Sequence, residues 1–567
     1  MTAPTRTRAV DADDVADAGN RRTWRFVHLG TLMAGIPVLA WINRDQWFAG
    51  DEWQVITHNG LGSNPTRLGL FAPHFEHWST LGVLVYKGLY GIFAARSYWP
   101  YVAVLILVIL AVAHMTWRLL LRVGVVPAYA TAVAALTMIA AVGWENRSTA
   151  WQITIIAPVA LGFGALLLMP ERGPWQRRDI GVVALLLVGL ACSGVGVTMT
   201  AVVGLAALLR RGWKVTLELV AAPAAVYGIW YLVEGTTGQR NDTALSTALR
   251  DLPEFVWRGL TEALSELTRV PESGIGVLAL VVVWLAWRAR PRLEPWPLVL
   301  ATSVGAVVSI ALTGLRRAGA SPESRYSDIV VLLALPALAL MTQEAARWLA
   351  RRFGRPVLAV CSVVVVAFLV VQVVALDDEV GNEPFLGEMR PRVLGAARIM
   401  REGEATATTN IFGIPFLGEP STRTIARMDR NGELPALDVS AADVVTAREY
   451  VEAVIGDASN YPEGVATLFS AGGSALPAMA DGCASTGGGS VLVRLPAAGS
   501  FRVATDPAAT ASLRFVEDGA RGRPREFDTT PAGGTEIGVS RATDVELQLP
   551  ADGTSTICGL ATSPPGF

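Results

Sequence analysis

Hydrophobic stretches of roughly 17–25 residues recur along the first two thirds of this chain, and they dictate its fold class. A bilayer interior offers no water to backbone amides, so each stretch must be helical if it crosses. About eleven such stretches are read as spans, centred near residues 35, 110, 134, 160, 186, 203, 223, 280, 305, 337 and 366. The chain of 567 residues is 52% hydrophobic, with mean hydropathy +0.41. That is too apolar for an ordinary soluble enzyme and too long for one domain. The net charge is −2 and no basic tail occurs, so nothing points to nucleic acid.

Orientation follows from arginine. Six clusters fall on one side under this count: Arg21/Arg22/Arg25, Arg118/Arg122, Arg172/Arg177/Arg178, Arg210/Arg211/Lys214, Arg288/Arg290/Arg292 and Arg347/Arg351/Arg352/Arg355. That side is read as the cytoplasm. Residues 1–24 read as a disordered cytoplasmic tail, and 26–42 as a retained first helix, since no small-residue cleavage site follows. Residues 180–209 are long for one span and short for two. Cys192-Ser193-Gly194-Val195-Gly196 in the middle favours a hairpin. A single span would put the Arg288 and Arg347 clusters outside. The outer face then holds loops 43–98, 144–151, 234–273 (with a surface helix) and 315–327, and also the C-terminus.

Residues 25–376 form the expected membrane domain. Hydropathy collapses after about residue 376, leaving 377–567 as an extracytoplasmic soluble domain. Its early part reads helical over 389–400 and over 441–455, the latter after a Ser440 cap. Its later part alternates with period two at Val491/Val493/Leu495, Phe501/Val503, Leu513/Phe515, Ile537/Val539 and Val545/Leu547/Leu549. The expected architecture is therefore mostly α: a polytopic helical bundle followed by an α+β or β-sandwich-like domain. Cys483 and Cys558 lie in that domain, and a disulfide between them is expected. It would close a long loop and contribute roughly 4 kcal/mol. Cys192 and Cys361 lie in spans and read as packing residues.

Candidate chemistry converges on the outer loops. Asp51-Glu52-Trp53 follows the first span closely, and two adjacent acids there are acid/base candidates. Adjacent side chains cannot both point inward from regular structure, so one acid is favoured over the other. Pro73-His74-Phe75-Glu76-His77-Trp78 adds imidazoles and another acid, suited to substrate hydrogen bonding or simple loop packing. His74, Glu76 and His77 could ligate a divalent metal, but the spacing is no zinc signature and no Cys is near, so no cofactor is assigned. Residues 79–98 place Leu81, Leu84, Val85, Leu89, Ile92 and Phe93 on one face, as in a helix lying in the membrane interface. Glu145, in Trp144-Glu145-Asn146-Arg147, and Gln152 face the same compartment. Arg316, Arg317 and Arg325-Tyr326 lie outside, against the positive-inside bias. Guanidinium forks match phosphate oxygens, so a phosphate at the membrane surface is a reason for cations there.

The acidic pair Asp51-Glu52 after the first span, the long first outer loop with its interfacial helix, and the outer Arg325-Tyr326 loop together resemble a GT-C glycosyltransferase. That is the polytopic class that uses lipid-phosphate sugar donors. The 73–78 stretch, the Glu145–Gln152 segment and Ser324-Arg325-Tyr326 also resemble uncharacterised actinobacterial membrane proteins of this kind. The resemblance covers roughly residues 25–375. It implies a polyprenyl-phosphate-linked sugar donor, a cell-envelope glycan or glycolipid acceptor, and a plasma-membrane location. It further implies Asp51 as general base with Glu52 as the alternative. Arg316, Arg317, Arg325 and Tyr326 would sit on the donor phosphate, and His74, Glu76, His77, Trp78, Glu145 and Gln152 around the substrate. Two other classes fit the same residues: a transporter or flippase of a lipid-linked glycan, and a non-catalytic envelope protein that binds glycans. Charges buried mid-span would favour transport, and few are seen.

Overall fold

The structure is a computed structural model. It describes residues 12–58, 69–74, 77–237, 245–317, 323–354, 356–382, 384–403, 421–456, 466–470, 475–476, 482–529 and 534–561. The chain divides into two compact units. The first comprises residues 1–46, 68–89 and 98–384, and the second comprises 47–67, 90–97 and 385–567.

The first unit is helical. Every expected span centre lies on a helix. Among the described residues, seven helices are long and apolar enough to cross a membrane: Arg22–Ile42, Trp99–Arg122, Ala150–Leu168, Trp213–Val233, Trp296–Leu315, Ser324–Phe353 and Pro356–Gly381. The number rises to eight if a bent pair, Ser246–Thr268 and Ser273–Arg288, counts as one span. The chain is a multi-pass membrane protein. Three of the eleven expected spans lie on shorter helices. Pro127–Ile139, Arg177–Leu190 and Val195–Arg211 have 13, 14 and 17 residues. At 1.5 Å per residue these reach about 20–26 Å.

The ambiguous 180–209 stretch is a helical hairpin, as its central Ser-Gly break implies. A Cβ on Gly196 would sit 2.4 Å from the Gly189 carbonyl oxygen, so only glycine permits so close a turn. The base of the hairpin is tied by a bidentate pair. Arg211 Nη1 donates to Asp179 Oδ1 at 2.7 Å and Nη2 to Oδ2 at 2.9 Å. Asp179 also accepts from the Gln176 backbone N–H and caps its own helix. The expected surface helix exists as Leu245–Thr268, and the chain turns by 107° into the next helix. The helix Pro356–Gly381 is apolar all round, with Val360, Val363 and Val366 each at least 60% exposed, as a lipid-facing helix must be.

The second unit is a β-sandwich with helices. One sheet runs Ala520–Arg521, Ala509–Glu517, Thr543–Leu549, Gly489–Leu495, Thr467–Ser470, Ala475–Leu476, with Arg525–Thr529 also paired to Ala509–Glu517. The other runs Ala453–Gly456, Thr535–Val539, Gly499–Asp506, Thr554–Cys558, Ala484–Thr486. All these strand pairs are antiparallel. The alternating residues read from sequence form a single core between them: Val491, Val493, Phe501, Val503, Leu513, Phe515, Ile537, Val545 and Leu547. Cys483 and Cys558 are bridged, with Cα atoms 4.0 Å apart. The helix expected over 441–455 stops at Glu452, and Ala453–Gly456 becomes an edge strand. Ser440 caps that helix in a capping box with Asp443.

Two pieces of the first loop belong to this unit. Tyr90 donates its hydroxyl to Glu433 at 2.7 Å, and the Ala95 N–H donates to the Glu433 carbonyl at 2.9 Å. Trp47, Phe48 and Trp53 form an aromatic cluster with ring centroids 5.5–6.0 Å apart.

Candidate functional site

The first unit contains a cavity of about 340 Å³. Four helices meet there, two by their first turns and two towards their last. The start of Val195–Arg211 contributes Val195, Val197 and Thr198. The finish of Trp213–Val233 contributes Tyr227, Gly228 and Tyr231. The finish of Trp296–Arg317 contributes Ser309, Leu312, Thr313 and Arg317, and the start of Ser324–Phe353 contributes Tyr326. The opposite ends of these helices carry Arg210, Arg211, Lys214, Arg351 and Arg352. The cavity thus opens at the ends remote from the basic clusters. Beside it, Ile229, Leu232 and Val233 are 63–74% exposed, so its rim continues into an apolar, lipid-facing surface.

His77 completes the lining. It sits on a two-residue strand, His77–Trp78, paired with Pro73–His74. A Cβ on Gly194 would lie 3.1 Å from His77 Nδ1, so a larger residue in the hairpin turn would press on the imidazole that comes down on it. Trp78 is held by its own contacts: its ring stacks on Trp230 with centroids 5.5 Å apart, and its Nε1 donates to Thr80 Oγ1 at 2.6 Å. His74 is buried, edge-on to Trp151 at 5.1 Å. It packs beneath the site rather than lining it.

The cations form a chain of contacts. Arg317 lines the cavity, and its guanidinium carbon lies 5.2 Å from the centroid of Tyr326. Arg325 lies 5.5 Å from the same ring. Glu323 is ion-paired with both arginines. Glu145 approaches Arg325 from the 144–151 segment, Oε2 to Nε 3.8 Å. Four of the residues singled out in sequence, Glu145, Arg317, Arg325 and Tyr326, therefore belong to one cluster. Gln152 is buried in the Ala150–Gln152 turn and does not line the cavity. Glu76 and the side chain of Arg316 lie outside the described residues. Among the described residues, no three of His, Cys, Asp and Glu are grouped to hold a metal ion.

Below the cluster lies a buried polar network. Arg147 Nη2 donates to Asp328 Oδ1 at 3.0 Å, and Asn146 Nδ2 donates to Asp328 Oδ2 at 3.0 Å and to the Arg325 carbonyl at 3.0 Å. Arg147 also donates to the carbonyls of Gly143 (2.7 Å) and Thr137 (2.9 Å). Arg147, Asp328 and Asn146 are at most 2% exposed. The network fixes the first turn of Ser324–Phe353, and with it Arg325 and Tyr326. Sequence reasoning passed over Asp328 and the cavity's Tyr227, Tyr231, Ser309 and Thr313. An acid inside an otherwise apolar span, and polar pairs four residues apart near span ends, were the available signals.

Asp51 and Glu52 belong to the second unit. They open the helix Asp51–His58. Glu52 is fully buried, and its Oε2 accepts from the Ala49 N–H at 2.8 Å, so it caps its own helix from within. Asp51 is half-buried and the more accessible of the two.

No family model and no curated protein matches the chain. Among solved structures, the chain is similar to the Archaeoglobus fulgidus oligosaccharyltransferase tethered with an acceptor peptide containing the NVT sequon. Identity is 11%, the TM-score is 0.42, and the match covers 80% of this chain and 74% of that one. A superposition this loose carries neither family nor function to the chain.

Proposed function

We propose that this chain is a membrane glycosyltransferase of the GT-C kind. It transfers a sugar from a polyprenyl-phosphate donor to a hydroxyl of a cell-envelope glycan or glycolipid on the outer face of the plasma membrane. The observation that carries this reading is the cavity: Arg317, His77, three tyrosines and the hydroxyls of Thr198, Ser309 and Thr313 in a recess beside exposed apolar helix surface. A phosphate on a hydrocarbon tail asks for a cation and polar groups beside an apolar entry. Tyrosine faces and hydroxyls suit a sugar ring. The outer location rests on the positive-inside bias of the opposite helix ends.

In the proposed step the acceptor oxygen bonds to the anomeric carbon as the carbon–oxygen bond to phosphate breaks. The bonding pair leaves with the phosphate, and the hydroxyl proton passes to a carboxylate acting as general base, the role proposed for Asp51 from its place after the first span. Arg317, aided by Arg325 and Arg316, offsets the charge growing on the phosphate. One displacement inverts the anomeric centre. Glu52 is the weaker choice of base, because its carboxylate is engaged as a buried helix cap.

The test uses membranes containing the full chain and a panel of radiolabelled polyprenyl-phosphate monosaccharides. Transfer of label into an envelope glycan fraction by wild type, lost in Asp51→Asn at equal expression, supports the assignment. Full transfer by Asp51→Asn removes Asp51 as base. A second reading, flipping of a lipid-linked glycan, has one observation in its favour. His28 Nε2 and His114 Nδ1 lie 3.1 Å apart inside two spans, with His28 stacked on Trp117. Label that changes leaflet without being transferred would favour it.

A further inference from the structure

Glu323 stands at the N-cap of the Ser324–Phe353 helix, in the extended conformation a capping residue adopts, yet its side chain caps nothing. The carboxylate turns instead to the guanidiniums of Arg317 and Arg325. Both arginines rest on the same tyrosine ring, and Arg317 lines the cavity while Glu323 does not. One planar anion thus holds the two cations. Carboxylate and phosphate oxygens compete for the same guanidinium donors.

We propose that Glu323 is a tethered competitor for the phosphate subsite. An anionic phosphate arriving in the cavity displaces it from Arg317, and Glu323 is a positioning residue that sets how tightly the anion is held. This inference rests on the lipid-phosphate reading of the cavity. The geometry allows the exchange. Glu323 is about one-third exposed, so it is not locked by packing. Its released carboxylate has a second place to go, the first-turn N–H groups of its own helix, where a negative charge is favoured. The exchange matters most after transfer. A phosphodiester donor carries one negative charge, and the phosphate monoester product carries nearly two near neutral pH. Bare guanidiniums would retain the product, whereas a competing carboxylate lets it go.

The experiment measures binding of a short-chain polyprenyl monophosphate to the full-length protein in nanodiscs, by tryptophan fluorescence. Wild type, Glu323→Gln, Glu323→Asp and Arg317→Ala are compared. Removing an anion from a partly exposed pair is worth up to about fivefold in affinity. Glu323→Gln is therefore expected to bind about threefold to fivefold tighter, Glu323→Asp to stay near wild type, and Arg317→Ala to bind weakly. Equal or weaker binding by Glu323→Gln, with wild type still binding, overturns the competitor role alone. No binding by wild type overturns both this inference and the lipid-phosphate reading. Inorganic phosphate added as a rival probe separates recognition of the head group from partition of the tail.

Discussion

Asp328→Ala should be the most damaging single substitution near the cavity. The carboxylate is 1% exposed and accepts from both Arg147 and Asn146 at 3.0 Å. Its removal leaves the Arg147 guanidinium, itself 2% exposed, with carbonyl partners only. Breaking a buried pair by deleting one partner costs about 3–5 kcal/mol, because the surviving charge stays buried. At a few degrees per kcal/mol, the midpoint of unfolding should fall on the order of 10 °C. The assay is thermal unfolding of the purified protein in detergent, followed by tryptophan fluorescence. Asp328→Asn keeps a polar group in place and should lose less. The double variant Arg147→Met/Asp328→Leu removes both charges and should recover part of the loss. An Asp328→Ala midpoint within a degree of wild type would refute the view that this network holds the cavity's fourth wall.

Further outcomes follow from other parts of the molecule. Gly228→Leu places bulk in the cavity from a position where an added Cβ meets nothing, so it should reduce lipid-phosphate binding with little change in thermal stability. Reducing Cys483–Cys558, whose partners lie 75 residues apart, should destabilise the sandwich by about 4 kcal/mol, read as a shift in its denaturant midpoint. Burial pushes the Glu449 carboxyl up to about 8, against the neighbouring Arg525 and Arg392. A folded-state value raised above the unfolded value near 4.5 means the group's contribution is full below that pH and is lost as pH rises towards 8. Glu449→Gln should therefore flatten the fall in stability over that window; an unchanged pH profile would count against it.

The architecture was readable where one physical rule dominated. Span centres were visible because a bilayer admits long apolar runs only as helices. The sandwich strands around Val493, Phe515 and Leu547 were visible because period-two alternation marks a half-buried sheet. The number of spans was harder to read, since Arg177–Leu190 and Val195–Arg211 are shorter than the long apolar helices. Short strands such as Ala484–Thr486 and Thr554–Cys558 carried too few apolar residues to register. At the site, Arg317 and Arg325 stood out as cations against the topology, with Tyr326 beside them, and Glu145 as an acid in the 144–151 loop. Glu323 escaped notice because its pairing with two arginines is a tertiary fact. The cavity escaped for a similar reason: its walls come from four helices and a two-residue strand, and no local pattern announces their meeting.

The most direct measurement is photocrosslinking of a diazirine-bearing polyprenyl-phosphate sugar to the full-length protein in membranes, followed by peptide mapping. The account predicts label on the cavity walls, within the peptides of Tyr227, Tyr231 and Leu312, competed away by unlabelled polyprenyl phosphate and diminished in Arg317→Ala. Label spread over the lipid-facing helices alone, indifferent to competitor and to Arg317, would contradict it.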